Sequence, residues 1–306
     1  MTLFPPISEG RDDCKAGEAP ARSRASLSRV NTTAASAPSD APLASTRIGE
    51  GSRRVAFLHG LMGRGRNFTG PAKELGDDFT VELIDLPDHG ASPWTDRVDY
   101  REIADRVAAH LRAGLAADGP VHLLGHSMGG KVAMVLALRH PDLVDRLIVE
   151  DISPRVSPQA TDEFVHLLGT MLRMDLDAYD SRAEADAAMA EHVHDARVRG
   201  FLLQNLRRTA GHFAWQPNVA MLFEHLREIG SFPDPVVPED PERVFDHPVL
   251  WLAGAESDYV QDEDVPRMKE LFPRVVRVTV RDAGHWLHAD QPEAFVSAVR
   301  TFLTAD

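Results

Sequence analysis

The chain has 306 residues, 43% of them hydrophobic, and a formal net charge of −14. That is enough apolar material for one large domain or a core domain with an insertion. The acidic balance repels phosphate backbones, so no nucleic-acid partner is expected. No apolar run reaches the roughly 18 residues of a spanning helix, so no membrane insertion is expected either.

Basic charge is almost wholly arginine, with lysine only at Lys15, Lys73, Lys131 and Lys269. The single cysteine, Cys14, cannot form an internal disulfide and suits a reducing compartment. The segment Met1-Thr2-Leu3-Phe4-Pro5-Pro6 lacks the basic-then-apolar layout of a secretory signal. A cytoplasmic protein is the expectation.

Residues 1 to about 45 are rich in Ser, Ala, Pro and Arg and read as a disordered tail. From residue 53 the pattern changes. Val55-Ala56-Phe57-Leu58 is a short apolar strand ending in His59-Gly60, and Phe79 to Leu86 is the next strand. Tyr100 to Leu115 has helical spacing at Ile103, Val107 and Leu111. Val121 to Leu124 is a third strand, Met128 to His140 a helix, and Leu147-Ile148-Val149 a fourth strand. Val249 to Leu252 and Val275 to Val280 are two more, followed by a closing helix from about Pro292 to Leu303. Short apolar strands alternating with helices predict a mostly parallel sheet covered on both faces.

The stretch 153–247 carries no convincing strand. Phe164 to Met174, Ala183 to Val193, Val198 to Leu206 and Val219 to Ile229 read as helices. The predicted organisation is therefore a core of 46–152 and 248–306 with a helical cap at 153–247. An insertion that begins at the strand ends is placed to act as a lid, because ligands of open α/β sheets bind there.

Gly125-His126-Ser127-Met128-Gly129 lies between a strand and a helix, the context of a nucleophile elbow. The sharp turn needs small residues two positions either side of Ser127. It lifts the serine Oγ above the sheet and aims the next helix's N-terminus at a developing oxyanion. His59-Gly60-Leu61-Met62-Gly63 follows the first strand, so the backbone N–H groups of Leu61 and Met128 are the candidate oxyanion donors. His59 and His126, within these motifs, and Trp286 are candidates for lining the substrate pocket. The two histidines sit inside turn motifs, which suits a structural rather than a catalytic part.

A serine hydroxyl needs an imidazole to take its proton. Gly284-His285 falls between the last strand and the last helix, where the base belongs in a Ser, acid, His order, so His285 is the choice and His288 the weaker alternative. Two aspartates fit the acid. Asp151 ends the strand after the nucleophile helix, and Asp258 follows the Trp251 strand. Position alone sets Asp258 slightly ahead.

Taken together, His59-Gly60-Leu61-Met62-Gly63, Asp88-His89-Gly90, Gly125 to Lys131, Asp151-Ile152-Ser153-Pro154 and Gly284 to His288 resemble the small α/β-hydrolases that include YbfF-type esterases and mitochondrial abhydrolase-domain proteins. The resemblance runs from about residue 53 to the end. It implies an α/β-hydrolase fold and hydrolysis of a small-molecule carboxylic ester or acyl thioester. Ser127 would be the nucleophile, His285 the base, and Leu61 and Met128 the oxyanion donors. In YbfF-like members the position matching Asp258 need not be acidic and the acid is sought at that matching Asp151; this chain has both. The resemblance also leaves about 43–52 to supply the leading antiparallel strands.

No metal or nicotinamide site is evident, and no cofactor is expected. Two rivals stand beside hydrolysis: a lyase or C–C bond hydrolase on the same fold, and a non-catalytic binding protein that kept the pocket. Oligomeric state is left open by the sequence.

Overall fold

The computed structural model describes residues 41–156, 158–209 and 211–305. The tail expected to be disordered, Cys14 included, lies outside the described residues up to position 40.

The first half of the core runs β1 (Ser45–Ile48), β2 (Arg53–Leu58), α1 (Thr69–Leu75), β3 (Phe79–Ile84), α2 (Tyr100–Ala113), β4 (Val121–His126), α3 (Met128–Arg139) and β5 (Val144–Glu150). An insertion follows, with α4 (Pro158–Arg173), α5 (Arg182–Ala190), α6 (Ala196–Leu203), β6 (Leu206–Thr209), β7 (His212–Trp215), α7 (Val219–Glu224) and α8 (Leu226–Gly230). The chain then returns through β8 (Val249–Gly254), α9 (Val265–Leu271), β9 (Val275–Val280), α10 (Leu287–Asp290) and α11 (Pro292–Thr304).

Seven strands form one sheet in the order β1-β3-β2-β4-β5-β8-β9. Only the β1–β3 pair is antiparallel. The parallel strands therefore end on one edge, and the loops after β2, β4, β5, β8 and β9 meet there. The register sets His126 opposite Glu150, and Glu150 opposite Leu252.

The helices follow from side-chain spacing. Ile103, Val107 and Leu111 form the buried stripe of α2, and the Asp99 carboxylate caps that helix by accepting the Arg101 N–H at 2.8 Å. Phe295, Val299 and Leu303 do the same for α11 on the opposite face of the sheet. α3 is buried from Met128 to Leu138, and apart from Lys131 that stretch carries no charged side chain, as suits a helix enclosed by its neighbours. It packs on β4 and β5 and against α2.

The structure departs from the sequence reading in four places. The helix expected over Val198 to Leu206 ends at Leu203, and a hairpin of β6 and β7 follows, pairing Leu206 with Trp215 and Thr209 with His212. Four-residue strands are too short to display a period of two, and Gly211 at φ 93° supplies the turn. The helix expected over Val219 to Ile229 breaks at His225 into α7 and α8. α4 starts at Pro158, ahead of the expected Phe164. Finally, the leading antiparallel contribution from 43–52 is one strand, β1, lying along β3.

Candidate active site

Ser127 stands between β4 and α3 at φ 52°, a left-handed conformation that non-glycine residues adopt only where the surroundings impose it. The surroundings here are tight. A Cβ on Gly125 would lie 2.2 Å from the Gly129 carbonyl oxygen, and a Cβ on Gly129 would lie 2.5 Å from those of Leu58 and His59. The elbow therefore closes only with glycine at both places.

The candidate base His285 and the candidate acid Asp151 come together from the ends of β9 and β5. His285 Nδ1 donates to Asp151 Oδ2 at 2.7 Å. Asp151 is fully buried at φ 48°, and its carboxylate also accepts the Gly254 N–H at 2.9 Å and the Ser257 hydroxyl. Asp258, which position alone had set slightly ahead, is exposed, and among the described residues no hydrogen bond joins it to His285. Tyr259 of the same loop lies against the His285 ring. Among the described residues no hydrogen bond joins Ser127 to His285, and such bonds commonly tighten only when substrate is bound.

Leu61 and Met128 line one pocket with Ser127. Neither amide N–H has a partner among the described residues. The pocket encloses about 380 Å³ of empty space, its mouth included, between the core residue Ile152 and the insertion residues Phe164, Leu226 and Ile229. Its walls are mainly apolar. The exception is Lys131, one turn along α3 from Ser127. Its ammonium donates to the carbonyls of Gly230 at 2.8 Å and Ser231 at 2.7 Å, with Ile229 at 3.5 Å. Burial, reinforced by the charge of Arg155, pushes this lysine down to about 7.

His59, His126 and Trp286 are not among the lining residues. His59 accepts the Leu86 N–H on Nε2 at 3.0 Å and donates from Nδ1 to its neighbour's carbonyl at 2.8 Å. Burial pushes it down to about 4, so it is neutral and ties two loops together. His89 is its counterpart. It accepts the Met62 N–H at 3.1 Å, donates to Pro87, and is pushed by burial to about 3. His126 donates from Nε2 to the His285 carbonyl at 2.8 Å, and burial lowers its pKa. Trp286 packs on Phe201 of α6, ring centroids 5.3 Å apart.

The insertion is fastened to the turn after β2. Asn205 Nδ2 donates to the Met62 carbonyl at 2.7 Å, and Arg64 Nη2 donates to the Gln204 carbonyl at 2.8 Å. Asp88 of the Asp88-His89-Gly90 motif accepts from Thr95 and Asn218, so that motif also joins core to insertion.

One group of metal-ligand composition occurs among the described residues: His126, Glu150 and His288, with one candidate ligand atom from each all within 4.8 Å of one another. His288 Nδ1 already donates to Glu150 Oε1 at 2.8 Å, and His126 donates instead to the His285 carbonyl. Sequence reasoning passed over Lys131, Glu150, Ser257 and Tyr259 as parts of the site. Their chain neighbours had flagged them: Lys131 closes the elbow motif, Glu150 precedes Asp151, and Ser257 and Tyr259 flank Asp258.

A glycine-framed serine at the strand edge, with a His–Asp pair beside it, defines an α/β-hydrolase, and this chain belongs to the alpha/beta hydrolase family, whose sequence profile matches residues 55–298. It is 36% identical over 256 residues to the sn-1-specific diacylglycerol lipase ABHD11 of Mus musculus, spanning 81% of this chain and 80% of that protein. It is 29% identical over 252 residues to the esterase YbfF of Escherichia coli, spanning 81% and 92%. The solved structure of a marine microorganism esterase superposes with a TM-score of 0.80 at 33% identity, over 85% of this chain and 99% of that one. Among the described residues no helix is long and apolar enough to cross a membrane.

Proposed function

We propose that the protein is a serine hydrolase that cleaves a small-molecule carboxylic ester or acyl thioester through an acyl-enzyme. The observation that carries this reading is the 2.7 Å contact between His285 Nδ1 and Asp151, at the same sheet edge as a strained Ser127. The ester and lipase activities named for its relatives point the same way.

Ser127 Oγ attacks the carbonyl carbon while its proton passes to His285 Nε2. Asp151 stabilises the resulting imidazolium through Nδ1–H. The tetrahedral oxyanion is held by the N–H groups of Leu61 and Met128, each donor supplying about 2.7–4 kcal/mol of transition-state stabilisation. Collapse breaks the bond to the alcohol or thiol, which leaves with the proton from Nε2. Water, deprotonated by His285, then attacks the acyl-enzyme, releasing the acid and restoring Ser127. The apolar pocket suits the acyl group, and residues 153–247 serve as its lid.

A fluorophosphonate probe tests the first step. It should label Ser127 in the wild type and not in Ser127→Ala, and the wild type should hydrolyse members of a panel of short-acyl esters and acyl thioesters. An unlabelled wild type, or one active only on vinylogous diketones, sinks the reading.

A further inference from the structure

We propose that Glu150 is a positioning residue for His285, acting through His288. The inference rests on the reading of His285 as the base and adds a residue to that site.

Glu150 ends β5 and is fully buried. A buried carboxylate is costly unless its hydrogen bonds offset the loss of water. Glu150 commits one oxygen to a single residue: Oε1 accepts both the backbone N–H of His288 at 3.1 Å and its Nδ1–H at 2.8 Å. Its Oε2 has no partner among the described residues. An apolar side chain would fill the space without that cost, so what the carboxylate contributes is the fixed place of His288.

His288 lies three residues beyond His285. Its ring is wedged against Phe68, centroids 4.4 Å apart, and His126, at 5.1 Å. The loop between the two histidines is held elsewhere too. His126 holds the His285 carbonyl at 2.8 Å, and the Gly284 N–H donates to Asp290 at 2.9 Å. Glu150 supplies the remaining anchor, at the far end from Gly284.

Backbone geometry explains how neighbouring residues reach one loop. In an extended strand, successive side chains point to opposite faces. Asp151 at φ 48° breaks that alternation. The two carboxylates then have separate parts in holding the base. Asp151 turns the imidazole, and Glu150 sets the height of the backbone that carries it. His126 and His288 are the titratable side chains with ring nitrogens within 4.8 Å of the Glu150 carboxylate.

The test compares Glu150→Ala with Glu150→Gln, whose amide oxygen can accept the same two hydrogens. Rates are taken per site labelled by a fluorophosphonate at Ser127. Hydrolysis and labelling by the wild type report on the underlying reading separately from the variants. Glu150→Ala should lose kcat by between about 10- and 100-fold, the cost of displacing a catalytic group by about 1 Å. Its KM should stay within about twofold, since His288 is not in the pocket wall. Glu150→Gln should recover kcat to within about threefold. The low-field His285 Nδ1 proton signal should broaden in the alanine variant and return in the glutamine one. Wild-type kcat in Glu150→Ala, a matching rise in KM, or a glutamine variant as impaired as alanine would each overturn the proposal. Should Glu150→Ala not fold, His288→Gln carries the same kcat and KM expectations.

Discussion

Tyr259 lies flat on His285, ring centroids 3.9 Å apart and planes within 19°. The tyrosine also lines the pocket of Ser127, so it is wall and backing plate at once. Burial raises its phenol pKa, so the ring stays neutral across the working range. Its backbone N–H reaches Ser257 Oγ at 3.3 Å, whose hydroxyl in turn bonds to Asp151, so one loop braces both base and acid. Stacking, not the hydroxyl, is what His285 receives. Tyr259→Phe should keep kcat within about twofold, and Tyr259→Ser should lower it by about tenfold, a loss of about 1.4 kcal/mol in transition-state stabilisation. Steady-state kinetics on one short-acyl ester decide this, and equal losses in the two variants would contradict it.

The two aspartates should part company by orders of magnitude. Asp151→Asn can no longer stabilise an imidazolium and can hold the ring in the wrong tautomer, so kcat should fall by about 10⁴-fold. Asp258→Asn alters an exposed side chain with no bond to His285 and should leave kcat within about twofold. A severe loss in Asp258→Asn would mean that the acid works from the other loop.

Lys131 joins the nucleophile helix to the end of α8, whose residues form the inner wall of the pocket. Lys131→Met keeps the stem and removes the donors. Each buried carbonyl left bare costs about 1–3 kcal/mol, offset in part by no longer burying a charge. Stability to urea should fall by about 1–3 kcal/mol. KM for longer acyl esters should rise several-fold, because the wall has moved, while kcat for an acetyl ester changes little. An unaltered urea midpoint and acyl profile would leave the lysine without this role.

Acid should destabilise the fold before the carboxylates begin to titrate. His59 and His89 titrate near 4 and 3 when folded, against 6.5 when free. As pH falls through 6.5 the unfolded chain takes up protons that the folded chain does not, so the stability present above that point is lost towards pH 4. At pH 5 the loss is about 2 kcal/mol for each histidine. Urea midpoints at pH 7.5 and 5 measure it, and a midpoint that stays put would mean that these rings are not held neutral.

The elbow, the base and most core strands were legible because each shows itself locally, as an apolar run, a glycine pair or a helical stripe. The carboxylate that meets His285 was not. Position alone sets Asp258 slightly ahead of Asp151, and only the folded loop after β8, with Asp258 exposed, leaves Asp151 as the partner of His285. The histidines of the turn motifs have the structural part that their place in those motifs suits. His59 stands just after β2 and His126 ends β4, and both ring nitrogens of His59 and Nε2 of His126 are engaged by backbone groups, two of them in other loops. Lys131 was in plain view, yet its partners lie about a hundred residues away, beyond any local pattern.

The bond from Asn205 to the Met62 carbonyl bears on how such proteins diversify. Core and insertion look like separable modules. Here the insertion supplies a donor to the turn that bears Leu61. An insertion transplanted from another protein without an amide at that place would strand a carbonyl inside the molecule and loosen that turn. An exchange of the insertion therefore has to keep a donor at residue 205.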